Sequence, residues 1–271
     1  MYLDEYCKKI LLGQSLEDKL THIACVKFRE TIAFDIPALP ARENRIQFST
    51  KKLRFPKGHF HEVEKKAIAL HTFANHELLA IEMMACALIL YPHNTDELKR
   101  FKYGVVKSLQ DEQKHFKLYV ARLNDLGYEF GDFAINDFFW NQMHRLKTPS
   151  QYFAAMALTF EAANLDFAHF YKHIFLELGD TKTANILDIV LEDEITHVNL
   201  GVTYLNRWRG DKDLWTYYNE SLPFPLTPAR SMGQNFVEEA RVKAKMDFAF
   251  IEKLKKYEDE FAITKRKEWK K

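Results

Sequence analysis

The sequence predicts an all-α protein with a four-helix bundle at its centre, and three observations predict it. Only nine of the 271 residues are glycine and eight are proline, and leucine, alanine, glutamate and lysine are abundant, which favours helix over sheet. Apolar residues recur with a 3.6-residue period over four long segments. A glutamate followed some thirty-odd residues later by Glu-x-x-His occurs twice and interrupts the apolar stripes of these segments.

The four periodic segments are predicted to form two antiparallel pairs. Pro92 ends the first helix and Gly127 stops the second, whereas Asp180 or Thr181 caps the fourth. Short turns join the members of each pair, and a link of some twenty residues between the pairs is long enough to cross the bundle. The predicted helices cover about residues 59–91, 96–126, 149–179 and 181–209.

Extensions precede and follow the bundle. The first is expected to hold two helices, at about 2–12 and 15–34, and then an irregular strap over 35–58, where three prolines prevent continuous helix. The last is expected to hold an extra C-terminal helix at about 231–257 and a basic tail over 265–271. The predicted parts are therefore 1–58 (helices and strap), 59–210 (bundle with the site) and 211–271 (linker, helix and tail).

The doubled motif supplies six candidate metal ligands. Residues three apart are neighbours on a helix surface, so each Glu-x-x-His places both ligands on one helix face. The lone glutamate stands 35 residues (77 to 112) and 33 residues (161 to 194) before its motif, about one long helix, a turn and the return. The predicted ligands of a dinuclear site are Glu77, Glu112, His115, Glu161, Glu194 and His197.

Charge and ligand type indicate the metal. A carboxylate buried alone is costly, so glutamates on inward stripes need positive partners. Four carboxylates balance two divalent cations, and oxygen and imidazole ligands without thiolate suit iron or manganese. The expected cofactors are two Fe ions, or a Mn/Fe pair. The competing interpretation is a polar network in the core.

Several neighbours of the six residues receive subsidiary roles. Glu82 and Asp166 each follow a lone glutamate by five residues, which turns them off the ligand face towards structural or outer-sphere roles. Asp111 and Asp193 are expected either to orient a histidine of the opposite pair or to lie exposed. Tyr119 is weighed as a redox-active phenol against a packing residue, and so is Tyr204. The remaining candidates are four histidines, which either add ligands or hold water or, as we expect, are satisfied in the core or at the surface, and two small residues that would leave room for oxygen or a substrate near the ligands: His71, His76, His169, His173, Ala80 and Gly201.

Composition excludes several classes of function. The net charge of +1 offers no field for nucleic acid or an anionic membrane, so neither is an expected partner. Three cysteines without Cys-x-x-Cys spacing indicate neither a disulfide framework nor a thiolate metal site. No export signal and no run of eighteen apolar residues occur, so we expect a cytoplasmic location.

The wording of the motifs resembles a known family. The segments 71–82, 111–116, 161–166 and 193–198 resemble a bacterial family of ferritin-like proteins catalogued as a domain of unknown function, over about residues 60–245. The resemblance implies a ferritin-like four-helix bundle, here with an N-terminal helical and irregular strap and an extra C-terminal helix. The family's usual Glu-Ala-Arg-Gly-Leu-Asp reads Glu-Ala-Ala-Asn-Leu-Asp at 161–166.

The expected function is oxygen-dependent oxidation or hydroxylation of a small organic substrate, with dioxygen and an external electron donor as partners. Iron handling as a ferroxidase is an alternative, although about sixty residues before and after the bundle would obstruct a cage assembly. A tRNA-modifying hydroxylase of related fold is a third, supported only by the basic tail, and a metal-poor partner-binding bundle is a fourth. A homodimer stays open.

Overall fold

The computed structural model describes residues 1–30, 33–51 and 53–258. These residues are mostly helical and contain no strand, only two isolated β-bridges, so the all-α prediction is confirmed. The bundle topology stays a prediction. The expected basic tail, 265–271, lies outside the described residues.

Backbone contacts divide the chain into two compact units, Met1–His144 and Arg145–Lys271. Each unit contains one of the two predicted helix pairs. The division falls within the predicted bundle part, and the three-part organisation predicted from the sequence stays a prediction.

The first unit is built on two long helices, α3 (Val63–Leu90) and α4 (Asp96–Asp125), as predicted. Thr95 caps α4, since its side-chain oxygen accepts a hydrogen bond from the Leu98 amide at 3.2 Å. The short connection makes the two helices an antiparallel pair. Three shorter helices belong to this unit: α1 (Leu3–Leu12), which lies against α3, α2 (Leu16–Lys19) and α5 (Trp140–Met143).

Helix α3 alone, within the described residues, is long and apolar enough to cross a membrane. Its most apolar window is 83% buried inside the protein, and the helix also carries the buried side chains of His71, Glu77 and Glu82. This is the pattern of a core helix, so length and hydropathy here are weak indications of a membrane span.

The predicted helix at 15–34 is wrong, because α2 ends at Lys19. Side chains of α4 donate hydrogen bonds to backbone carbonyls that would accept intrahelical hydrogen bonds in a longer helix. Gln113 donates to the carbonyls of Lys19 and Thr21, both at 2.9 Å, and Gln110 donates to that of Ile23 at 2.9 Å. Tertiary hydrogen bonds thus hold residues 19–23 in an irregular path along α4, and residues 31 and 32 of the predicted helix lie outside the described residues.

The second unit contains the other helix pair. One arm is α6 (Pro149–Ala155), a π-helical segment (Met156–Glu161) and α7 (Ala162–Glu177), and the other arm is α8 (Thr181–Trp208). Asp180 caps α8 by accepting from the Thr183 amide at 3.0 Å, as predicted. Gly179 ends the first arm at φ +74, a conformation that glycine adopts without strain.

The predicted continuous helix at 231–257 is wrong. The structure has two short helices, α10 (Glu238–Lys243) and α11 (Phe248–Lys255), separated by Lys245 at φ +60. In the segment before α10, the amides of Gly233 and Val237 donate hydrogen bonds to the distant carboxylate of Asp166, which prevents a helix there. A further helix, α9 (Leu214–Ser221), was not predicted. Its N-cap is Asp213, which accepts a hydrogen bond from the Thr216 amide, and an aspartate at this position is a helix-start signal that the sequence offered.

Gly201 makes room for a helix contact and not for a substrate, contrary to the expectation. A Cβ there would lie 2.3 Å from the Ala157 Cβ and 2.9 Å from Leu158 Cδ1 on the π-helical segment. Ala80 is 9% exposed and lies in the core of the first unit.

Replacing Gly201 with alanine is expected to lower the free energy of unfolding by about 1–3 kcal/mol, because overpacking outweighs the better helix propensity of alanine. Urea unfolding measures the change. The double variant Ala157→Gly with Gly201→Ala removes the closest atom and should recover part of the loss. A Gly201→Ala protein more stable than the wild type would contradict the close contact.

Candidate metal centre

The first unit brings three of the predicted ligands together. Glu77 lies on α3, and Glu112 and His115 lie one turn apart on α4. His115 Nδ1 is 3.2 Å from Glu112 Oε2 and 3.9 Å from Glu77 Oε2. All three side chains are buried, with exposed fractions of 5%, 1% and 0%. They form a compact triad on the inner face of the helix pair.

The second unit repeats the arrangement with Glu161, Glu194 and His197. Glu161 ends the π-helical segment, while Glu194 and His197 are one turn apart on α8. His197 Nδ1 is 3.6 Å from Glu194 Oε2, which matches the pair in the first unit. These side chains are also buried. The sequence symmetry therefore has a structural counterpart in each unit.

Both triads have a donor set that fits a divalent cation. In each, two carboxylate oxygens and one imidazole nitrogen lie within 4.8 Å of one another. Metal-ligand bonds of about 2.0–2.2 Å place neighbouring ligand atoms about 3 Å or slightly more apart, close to the separations seen here. The oxygen and nitrogen donors, without sulfur, suit iron or manganese. The described residues thus contain buried clusters that could bind metal.

Glu82 is held in a buried ion pair within the first unit. Arg42, from the irregular strap, donates to its two oxygens at 3.0 and 2.6 Å, and Lys19 Nζ lies 3.2 Å away. Glu82 and Lys19 are both fully buried. The carboxylate therefore fixes the strap and α2 to α3, which is a structural function.

Asp166 occupies the matching place in the second unit. Arg241 on α10 donates to its two oxygens at 2.6 and 2.8 Å, and the amides of Gly233 and Val237 donate to them at 2.7 Å each. Both Asp166 and Arg241 are fully buried. The carboxylate five residues after each lone glutamate thus anchors a segment from outside its helix pair.

Three further predicted residues differ in their surroundings. Tyr119 is 2% exposed, and its ring centroid lies 5.5 Å from that of Phe73, as in a packing contact. Asp111 is partly exposed and lies 3.8 Å from Lys114 Nζ. Asp193 is half-buried on α8. The orienting roles of Asp111 and Asp193 stay predictions.

The histidines of α3 and α7 take core and surface places. His71 is a core histidine that is satisfied at one nitrogen only: its Nε2 accepts from the Gly131 amide at 3.0 Å, whereas its buried Nδ1 has no hydrogen-bond partner among the described residues. Burial lowers the pKa of His71 to about 4 and that of His76 also to about 4. His169 and His173 form a pair on α7 with 3.2 Å between their Nε2 atoms.

The lowered pKa of His71 predicts a loss of stability in acid. In the unfolded chain the His71 imidazole is protonated near pH 6.5, whereas in the folded protein it is protonated only near pH 4. The free energy of unfolding therefore falls as the pH drops through this window. Protonation of His71 should lower the free energy of unfolding by up to about 3 kcal/mol. His71→Gln keeps an acceptor for Gly131 and should show a shallower fall from pH 6.5 to 4 in urea titrations. An unchanged slope would contradict a neutral, buried His71.

Asn164 was not among the residues predicted from the sequence to belong to the site. Its Nδ2 donates to Glu194 Oε1 at 2.7 Å, from α7 to α8 within the second unit. A hydrogen bond of this kind orients a carboxylate that could bind metal. The only signal in the sequence was the departure from the family wording at 164.

A second group that could hold a metal ion was also not predicted. It consists of the exposed residues His59, His61 and Glu62, directly before α3, and it lies apart from the triads in the sequence.

The described part of the chain is thus an all-α protein with buried glutamate and histidine clusters that could bind metal. The sequence model of the family described as "Protein of unknown function (DUF455)" matches residues 5–252, and the chain belongs to this family. It is similar to an uncharacterized protein of Haemophilus influenzae (strain ATCC 51907 / DSM 11121 / KW20 / Rd), with 29% identity over 216 residues, 75% of this chain and 70% of that protein. No solved structure matches the chain significantly.

Proposed function

We propose that this protein is a ferritin-like, dinuclear carboxylate protein that oxidises or hydroxylates a small organic substrate with dioxygen. The observation that supports the proposal is the repetition of one buried triad, Glu, Glu and His, in both units. In the proposal, the two helix pairs form one bundle and pool their six ligands, as the doubled motif predicts.

Burial of the carboxylates supports a cationic partner. Glu112 and Glu194 are 1% and 2% exposed, and glutamates at that depth need compensating positive charge. Glu82 and Asp166, the other buried acids of these helices, are each paired with a buried arginine, which illustrates that a carboxylate at this depth is accompanied by a cation. Four triad carboxylates would balance two divalent ions.

The triad residues would hold and orient the metals, and the surrounding helices would keep bulk water away. When bound, two ferrous ions or a Mn/Fe pair supply electrons for the reaction of dioxygen. Asn164 would restrain the Glu194 carboxylate through its 2.7 Å hydrogen bond. Each histidine offers its Nδ1 on the side of the motif glutamate. An external reductant would restore the ions after each turnover.

Oxygen uptake by iron-loaded protein tests the proposal. Protein reconstituted anaerobically with ferrous ion should consume dioxygen repeatedly when a chemical reductant is supplied, and the Glu194→Ala variant should not. Glu192→Ala is the matched control, because Glu192 is exposed and two residues away on α8. Uptake that follows only the amount of added ferrous ion would favour a ferroxidase. No uptake by fully loaded protein would contradict an oxidase.

A further inference from the structure

We propose that the C-terminal segment from α9 to α10 positions Glu161, through hydrogen bonds that hold the π-helical turn on which Glu161 lies. The inference rests on the proposed function, in which Glu161 binds metal. Its basis is a network of buried polar groups within the second unit, between this segment and the middle and the end of the turn.

The π-helical segment is the reason why Glu161 needs such support. π-helical turns are rare, occur mostly as single-turn bulges within α-helices, and are frequent at functional sites. Removing the extra residue of the turn would rotate the following side chain by about 100° around the helix axis. Glu161 is the last residue of the segment, so its direction depends on whether the turn is kept.

A chain of three hydroxyl groups holds the middle of the turn. Thr159 Oγ1 donates to the Ala154 carbonyl at 2.8 Å, so it accepts from the Tyr218 hydroxyl at 2.8 Å. Tyr218 then accepts from Ser231 Oγ at 2.6 Å. Thr159, Tyr218 and Ser231 are all fully buried. Burial raises the pKa of Tyr218 to about 12, so its hydroxyl keeps its proton at neutral pH.

Arg241 holds the end of the turn. Its Nη2 donates to the Ser231 carbonyl at 2.8 Å and to the Ala162 carbonyl, directly after Glu161, at 3.3 Å. The ion pair with Asp166 fixes the guanidinium. The side chains of Tyr218 and Arg241 therefore contact the chain two residues before and one residue after Glu161. Both are positioning residues in the proposal, since neither belongs to the triad.

The test uses cobalt(II) as the metal, because its visible absorption reports ligand geometry without any activity assay. Tyr218→Phe removes only the hydroxyl that bonds Thr159. Tyr217→Phe is the matched control on the same helix, since the Tyr217 hydroxyl bonds Ser150 in α6 at 2.7 Å and not the turn. We expect Tyr218→Phe to shift the cobalt absorption and to weaken binding by about tenfold to a hundredfold, and Tyr217→Phe to change neither.

Two substitutions of Thr159 separate positioning from packing. Thr159→Val keeps the shape and removes the hydroxyl, so it should reproduce the spectral shift of Tyr218→Phe. Thr159→Ser keeps the hydroxyl and loses a methyl group, so it should retain the wild-type spectrum although its melting temperature falls. If packing alone mattered, Thr159→Ser would disturb the spectrum at least as much as Thr159→Val, which would overturn the inference.

The outcomes also separate this inference from the proposed function. A wild-type protein that binds cobalt, together with Tyr218→Phe and Tyr217→Phe proteins of identical spectrum and affinity, would overturn the positioning role alone. A folded wild-type protein that binds no cobalt, iron or manganese would overturn both.

Discussion

Glu112→Ala and Glu194→Ala are each expected to abolish binding of one or both metal ions. Each change removes a carboxylate from the centre of a triad, where His115 Nδ1 or His197 Nδ1 lies 3.2 or 3.6 Å from it. Metal content per chain after gel filtration measures the loss. Glu192→Ala, exposed on α8, should keep the wild-type content.

The same variants are expected to lose much more stability relative to the wild type with metal than without it. Without metal, Glu194→Ala relieves the desolvation cost of a buried carboxylate but also removes the acceptor of Asn164 Nδ2, so the two effects oppose each other and the net change should be small. With metal at about 100 times its dissociation constant, the wild type gains about 2.7 kcal/mol that the variant lacks. Full metal content in both variants would contradict the assignment of Glu112 and Glu194 as metal ligands.

Asp166→Ala is expected to be the most destabilising single change outside the triads, at about 3–5 kcal/mol. It leaves the buried Arg241 guanidinium without its counter-ion and takes the acceptors from the amides of Gly233 and Val237. Urea or thermal unfolding, read by circular dichroism, measures the loss.

A double variant shows how much of this loss comes from the stranded charge. Asp166→Leu with Arg241→Met removes both charges together and should cost clearly less than Asp166→Ala. Asp166→Asn, which keeps one acceptor oxygen, should fall between the two. A cost below about 1 kcal/mol for Asp166→Ala would contradict a buried ion pair at this place.

Helix positions were predictable where periodicity and caps agree. Helices α3, α4 and α8 begin and end within a few residues of the predicted bounds, because Thr95, Gly127, Gly179 and Asp180 are local signals. The prediction of a helix at 15–34 failed because backbone carbonyls of this segment accept hydrogen bonds from Gln110 and Gln113, which are distant in the sequence. Local propensity contains no information on such partners.

The members of each triad could be predicted from the motif, but their supports could not. Helical periodicity assumes a constant turn, so it cannot reveal the π-helical segment before Glu161. The arginines that neutralise Glu82 and Asp166 come from 40 and 75 residues away in the sequence. The bond from Asn164 to Glu194 depends on how α7 and α8 are aligned. Each of these requires tertiary structure.

Metal content per chain decides whether the two triads together bind two metal ions. The protein would be produced without an affinity tag, with iron and manganese both supplied, and analysed by plasma mass spectrometry after dialysis. We expect close to two iron or manganese ions per chain. Substoichiometric metal that is lost on dialysis would contradict this expectation and would leave the six residues as a polar network in the core.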